Sequence, residues 1–504
     1  MLSVFKKLYE RTKNWALRPL NRMEAHSVER MERQTELLRE QADFLKEQAK
    51  KLERQEKQAG GLEQQIQESD WLKYYNMHQV RLNRLRDKVS KGKKVTVFFL
   101  VSYCSKFESK TVYDAMMESD LFEPYIFIIH PRDRYFQQQP ELMLDARNNF
   151  SLFQEKGYRC IFGYDEKGNP LMLERFRPDI VFYNNPNLWM WSHYNNITIN
   201  ANYLSCFTAY FMDSTDLSEP FRFYYRCGNS AINTAWKCFE ESYYSYYGFT
   251  RTLKKEASPD INLWSGANAV LSGFPKLDIY SRPADQSLLP EKLRNGKPTI
   301  IYAPHWSIRY LMKLSTFHLF GEKMLRYAKD HPEYNFVFKP HPELADHIRD
   351  LNQCGVRDLS HLRGDFRMTP DEYNDFVKTW DALPNGVYVY DGEYIELFRH
   401  NCVMITDCGS FIQEYLPSGH PCIYILTPEK DDPMGFYGEL GKKVLDSYYL
   451  CRSWEEITGQ LELLLEKRID TKKAHREQVL AEEYVNLGCA GQFIVDYLTS
   501  EITD

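Results

Sequence analysis

The sequence has no Cys-x-x-Cys pair. Its eleven cysteines stand singly, at 104, 160, 206, 227, 238, 354, 402, 408, 422, 451 and 489. That scatter argues against a zinc site and a disulfide framework and for reduced thiols in a cytosolic protein. No apolar run approaches the ~18 residues of a membrane-spanning helix, and the first residues lack the apolar core of a secretory signal, so a soluble or peripheral protein is expected. Positive charge is not in excess either. The 64 Lys and Arg face 70 Asp and Glu, a net charge of −6 that gives no global pull toward nucleic acid. What is abundant is length and aromatic side chains: 504 residues with 35 Tyr and 30 Phe suffice for about three domains of ~100–200 residues and a large core.

Residues 1–22 hold the one local basic patch. Lys6, Lys7, Arg11, Lys13, Arg18 and Arg22 stand against Glu10, interleaved with Phe5, Leu8, Tyr9, Trp15, Leu17 and Leu20. A basic amphipathic segment of this kind binds an anionic membrane surface by apolar insertion plus about 1 kcal/mol per cation near the headgroups. Residues 23–92 are expected to form a coiled-coil and helical region. Val28, Met31, Thr35, Leu38, Ala42, Leu45, Ala49, Leu52 and Ala59 step alternately by three and four, with Glu56 in one seam position. Leucine at successive d positions predicts a homo-oligomer, and the small a residues leave the strand number open. Gly60-Gly61 breaks the coil, a second helical stretch is expected from 62 to 89, and Lys91-Gly92-Lys93-Lys94 is a linker.

From residue 93 the pattern changes to short apolar runs alternating with helical stretches, the signature of a parallel, doubly wound α/β sheet. In 93–285 strands are expected at 94–101, 125–129, 159–162, 179–183, 206–210 and 269–271. In 286–452 the pattern restarts, with strands at 299–302, 335–338, 388–390, 403–405 and 422–426. Residues 453–504 read as C-terminal helices, with Trp454, Ile457, Leu461, Leu464 and Leu465 on one face. Two such domains on one linker leave a cleft between the carboxyl ends of their sheets, where ligands of open α/β sheets bind.

The stretch from Cys402 to Leu416 is expected to be a buried strand, a turn at Asp407-Cys408-Gly409, and a helix capped by Ser410. Backbone N–H groups and the positive dipole end at such a helix start suit a phosphate, and Gly409 would let it approach closely. Lys339-Pro340-His341-Pro342 puts a lysine and a histidine at the end of another strand, where the imidazole can donate to a phosphate oxygen or protonate a leaving group. Glu414, five residues after Gly409, is placed to accept ribose hydroxyls.

Tyr302-Ala303-Pro304-His305-Trp306, Lys339-Pro340-His341-Pro342, Thr406-Asp407-Cys408-Gly409-Ser410 and Gly273-Phe274-Pro275-Lys276-Leu277-Asp278 together resemble the CDP-glycerol glycerophosphotransferase family of teichoic-acid and capsule polymerases. The resemblance implies a GT-B fold, two Rossmann-like domains facing a cleft, with the nucleotide donor on 286–452 and the acceptor on 93–285. It implies that His341 and the turn Asp407, Cys408, Gly409 and Ser410 hold the donor pyrophosphate, with Lys339 and Glu414 beside them. It also implies work at the cytoplasmic face of the cell membrane without a metal or cofactor. Two departures stand out. Cys408-Gly409 replaces a hydroxyl-bearing residue of the family's turn, and Tyr210-Phe211-Met212-Asp213 lacks the histidine of the family's base motif, which leaves Asp213 or His305 as the acceptor base. The Asp407–Ser410 turn with Gln413-Glu414 is also similar to the nucleotide-binding helix of UDP-N-acetylglucosamine 2-epimerases.

These readings predict a transferase of cell-surface polysaccharide or teichoic-acid-like polymer synthesis. It would move a polyol phosphate from a CDP-linked donor to a glycan or lipid-linked acceptor. A glycosyltransferase using an NDP- or CMP-sugar, and a non-catalytic oligomeric assembly protein, are the alternatives.

Overall fold

Most strands form where three to seven apolar, β-branched or aromatic residues run together, because a parallel strand between two helical layers is covered on both faces. The computed structural model describes residues 73–504 apart from 103, 105–106, 131–139, 185–192, 213, 215–233, 247–267, 311, 354–357, 391–393, 401 and 431. The basic segment 1–22 and the heptads of 28–59 lie outside the described residues, and so does Asp213. Residues 74–504 make one compact unit.

The first sheet holds β1 (Val95–Val101), β2 (Phe122–Ile128), β3 (Cys160–Phe162), β4 (Ile180–Tyr183), β5 (Leu204–Thr208), β6 (Lys237–Glu240) and β7 (Ala269–Leu271), in the order β3-β2-β1-β4-β5-β6-β7. The second holds β8 (Thr299–Ala303), β9 (Asn335–Phe338), β10 (Gly386–Tyr388), β11 (Val403–Thr406), β12 (Cys422–Ile425) and β13 (Tyr449–Cys451), in the order β10-β9-β8-β11-β12-β13. Every pairing is parallel, with Val97 opposite Ile180 and Val403 opposite Ile300. Alternate residues serve opposite cores: Val97 and Phe99 face one side of β1, Phe98 and Leu100 the other. In each sheet the strand order reverses once, between β1 and β4 and between β8 and β11. Those two switch points are where such sheets open a ligand crevice at their carboxyl edge.

Three elements depart from expectation. The strand expected at 388–390 lies at Gly386–Tyr388, because the chain turns back tightly from the helix Pro370–Asp381. A Cβ at Gly386 would stand 2.4 Å from the Trp380 carbonyl oxygen, so glycine starts the strand there and Tyr390 is left exposed. β6 and β13 carry too little apolar sequence to be seen alone. β6 is buried between β5 and β7, with the Lys237 ammonium held by Tyr497 and Glu501, each at 2.8 Å. The second helical stretch, expected over 62–89, is a helix over the described residues 73–90, and it seats Leu82 and Leu85 in the core of the first sheet.

The C-terminal helices divide between the sheets. Ile457 and Leu461 pack against the second, whereas Ile494, Val495, Leu498 and Ile502 of the helix Ala490–Thr503 pack against the first. Asp278 fastens that return: its carboxylate accepts the N–H groups of Ala490 and Gly491, both at 2.8 Å, and the Thr111 hydroxyl at 2.7 Å. Among the described residues no helix is long and apolar enough to cross a membrane.

Candidate functional site

The crevice of the second sheet is bounded by the segments that leave β8 and β11, and Asp407 ties them together. Its carboxylate is 1 % exposed and accepts three protons: one oxygen takes the His305 N–H at 2.5 Å, the other the N–H of Thr316 and its hydroxyl at 2.7 Å. Burial raises the Asp407 carboxyl to about 6, against the pull of those donors. With both oxygens occupied, Asp407 is a strut for the loop from Ala303 to Thr316.

The turn that follows is also more closed than its sequence suggests. The Cys408 thiol is buried, the N–H groups of Ser410 and Phe411 point at its sulfur, and its own N–H donates to Thr406 Oγ1 at 3.0 Å. Burial pushes that thiol up despite these donors. Gly409 is buried, and a Cβ there would lie 3.3 Å from the Tyr437 hydroxyl, so the protein itself makes the close approach expected of a ligand. Ser410 has helical backbone angles, its side chain makes no cap bond, and its Oγ lies 3.4 Å from the Cys408 sulfur. The helix Phe411–Tyr415 is five residues long, so few peptide dipoles add at its start. Ser410 thus stands at the N-cap position expected of it, without a side-chain cap bond, and the Cys408 sulfur lies among the N–H groups of this helix start.

What the crevice does present is imidazole and ammonium. His305 Nδ1 accepts from the Ser307 N–H at 3.2 Å and lies 2.8 Å from Ser307 Oγ, which itself accepts from the Leu314 N–H. His341 Nδ1 accepts from the Glu343 N–H at 3.2 Å. In each ring an acceptor Nδ1 leaves the hydrogen on Nε2, so both histidines are Nε2–H donors. Their ring centroids are 5.4 Å apart, with Trp306 against both. A ring in that tautomer has an N–H to offer from Nε2. Lys339, 3 % exposed, holds its ammonium 5.2 Å from the Tyr394 ring centroid and 5.8 Å from that of Phe411.

Tyr394 links this group to the first sheet. The Lys276 ammonium lies 4.8 Å from the same ring and donates to the Tyr394 hydroxyl oxygen at 2.7 Å. It also lies 3.4 Å from Glu108 Oε1 and 3.3 Å from Glu414 Oε2. Gly273 aims this loop: its φ of +80° and the Val485 carbonyl oxygen, 2.2 Å from where a Cβ would be, admit no side chain. Glu414 also accepts from the Tyr394 hydroxyl, so its carboxylate is engaged by protein donors at the place where it was expected to meet a ribose. Burial opposes the charge on Lys276, but Glu414, Tyr394 and Glu108 hold it well above its ordinary value. Burial raises Glu108 to about 7, with Lys276 pulling the other way. Met212 packs into the core of the second sheet and the Ser214 carbonyl accepts the Gly438 N–H at 2.9 Å, so the segment after β5 closes the same cleft.

Glu108 and Tyr394 were not singled out from the sequence. The loop of Glu108 carries no glycine or proline, and only its position after a strand could have marked it; Tyr394 follows Gly392, which reads as a turn and says nothing of the tyrosine.

No protein-family model matches the chain, and no curated protein matches it. Among solved structures, a putative UDP-N-acetylglucosamine 2-epimerase from Listeria monocytogenes is similar with a TM-score of 0.51 at 14% identity, over 82% of this chain and 98% of that one. The fold is GT-B. Weaker similarity extends to S. aureus MnaA solved with UDP (TM-score 0.48, 11% identity, 81% and 98% covered). It extends also to the wall teichoic acid polymerase TagF (0.46, 14%, 84% and 97%).

Proposed function

We propose that this GT-B protein is a transferase of cell-surface polymer synthesis, moving a polyol phosphate from a CDP-linked donor to a glycan or lipid-linked acceptor. The observation that carries this reading is the pairing of Lys339 with two Nε2–H imidazoles, His305 and His341, beside the switch point of the second sheet. A departing nucleotide gathers negative charge on its phosphates, and fixed donors in a dry cleft stabilise that charge more in the transition state than in the ground state. Lys339 meets it as a cation and His341 as a hydrogen-bond donor. With a CDP-linked polyol the attacked atom is phosphorus. With a nucleotide sugar, as the name of the Listeria protein suggests, it is the anomeric carbon. Residues 1–22 would seat the chain on an anionic inner membrane face, and the heptads would join copies of it.

Melting curves with CDP, CMP, UDP and GDP test this. Mass action stabilises by about 2.7 kcal/mol at a hundredfold excess over Kd. Wild type is expected to melt several degrees higher with a cytidine nucleotide, and His341→Ala to lose most of that rise. A rise with UDP or GDP alone would move the donor to a sugar nucleotide, and none with any of the four would overturn the reading. Anionic vesicles are expected to sediment the full chain at low salt and to leave a chain lacking residues 1–22 in the supernatant. Equal sedimentation of both would refute the membrane role.

A further inference from the structure

We infer, on the transferase reading above, that Glu108 is the proton acceptor for the incoming nucleophile, held in place by Lys276. Glu108 lies in the loop between β1 and the helix Lys110–Glu118, at the carboxyl end of β1 and beside the switch point of the first sheet. It therefore stands on the opposite wall of the cleft from Lys339 and His341, where an acceptor must enter. The residue is 4 % exposed. One carboxylate oxygen is 3.4 Å from the Lys276 ammonium, and the other, Oε2, is buried with no hydrogen-bond partner among the described residues. A buried oxygen left without a donor in an otherwise well-paired interior is a position that a ligand hydroxyl would satisfy.

Charge counting gives Glu108 its chemistry. Two buried carboxylates share one ammonium. Glu414 takes Lys276 and also the Tyr394 hydroxyl, whereas Glu108, its own backbone N–H aside, has Lys276 alone among the described residues. The other groups nearby are the Tyr280 hydroxyl, which donates to the Glu414 backbone oxygen at 2.8 Å, and Lys339 on the far face of Tyr394. None of these compensates Glu108 directly. It is thus the carboxyl of the pair that gains and loses a proton near neutrality, in line with its rise to about 7.

In the step itself, Glu108 Oε2 takes the proton of the acceptor hydroxyl as that oxygen bonds to the electrophilic atom of the donor. The bond from that atom to the nucleotide oxygen breaks, its electron pair leaves with the nucleotide, and Lys339 and His341 meet the charge. Glu108 then releases its proton to solvent. Lys276 keeps its charge throughout and, shared with Glu414, holds the Glu108 carboxyl in register.

Glu108→Gln tests this with CDP-glycerol as donor and water as acceptor, or with the matching UDP- or GDP-sugar if that nucleotide is the one that stabilises. The variant is expected to keep the nucleotide-induced rise in melting temperature while turnover falls at least ~100-fold, the usual contribution of a general base. In wild type kcat/KM should rise with pH to a plateau above about 7, and the variant should lose that limb. Glu108→Asp should restore part of the rate with the limb intact, and it serves as the folded control should the glutamine variant fail to fold. Turnover within tenfold of wild type with an unchanged limb overturns the assignment of Glu108 alone. A wild type that binds no nucleotide and turns over no donor overturns the transferase reading, and the assignment with it.

Discussion

Asp407→Ala is expected to lose about 4 kcal/mol of stability, because two buried backbone N–H groups and one hydroxyl are left without an acceptor, at about 1–3 kcal/mol each with partial relief by water. The donors are those of His305 and Thr316, and the loop between them carries the His305 imidazole and Trp306. Asp407→Asn should fall between, since whichever way its amide turns, one N–H faces another. Urea unfolding of the protein without nucleotide is the measurement. If Asp407 instead served only to hold donor phosphate, the nucleotide-free stability would not move and only the nucleotide-induced shift would disappear.

Lys276→Met is expected to be close to wild type at pH 5 and to lose about 3–5 kcal/mol by pH 8. Removing one partner of a buried ion pair leaves an uncompensated charge, whereas replacing the pair by apolar contact costs little. Without Lys276, Glu108 and Glu414 face each other across the cleft with no cation between them. At pH 5 Glu108 holds its proton, so one buried charge fewer is left without a partner. The sign follows from linkage: a carboxyl whose folded pKa is raised contributes stability that is present below its unfolded value, 4.5 for glutamate, and lost as pH rises through the folded value. Wild type already loses some stability in this window through Glu108, near pH 7, and the variant loses more because the cation that pulls Glu108 down is gone. An equal loss at pH 5 and pH 8 would show that the lysine acts by packing alone.

The strands at 269–271 and 335–338 could be read because each is a contiguous apolar run whose end is marked by Gly273 or by Pro340, and both strand and punctuation are local. β6 could not, because Lys237 and Glu240 read as surface until Tyr497 and Glu501, some 260 positions away, cover the lysine. The site shows the same division. Lys339 and His341 were visible as a cation and an imidazole after a strand. Asp407 was visible too, but as a ligand for phosphate, since nothing near it in sequence says that Thr316 and His305 will occupy both its oxygens. Cys408 looked like a serine lost from a phosphate turn. In the fold its sulfur takes the donors that a phosphate would have used.

By itself the sequence determined the two parallel sheets, their strand ends, and the cation and imidazole, Lys339 and His341, that follow β9. These depend on hydrophobic period and on glycine and proline, which act over a few residues. Only the tertiary structure decided which polar groups are free for chemistry. Whether a carboxylate is a strut, an ion-pair partner or a proton acceptor depends on what compensates its charge. Here the compensating lysine is 168 positions from Glu108 and 138 from Glu414, brought between them by the return of the chain across the cleft.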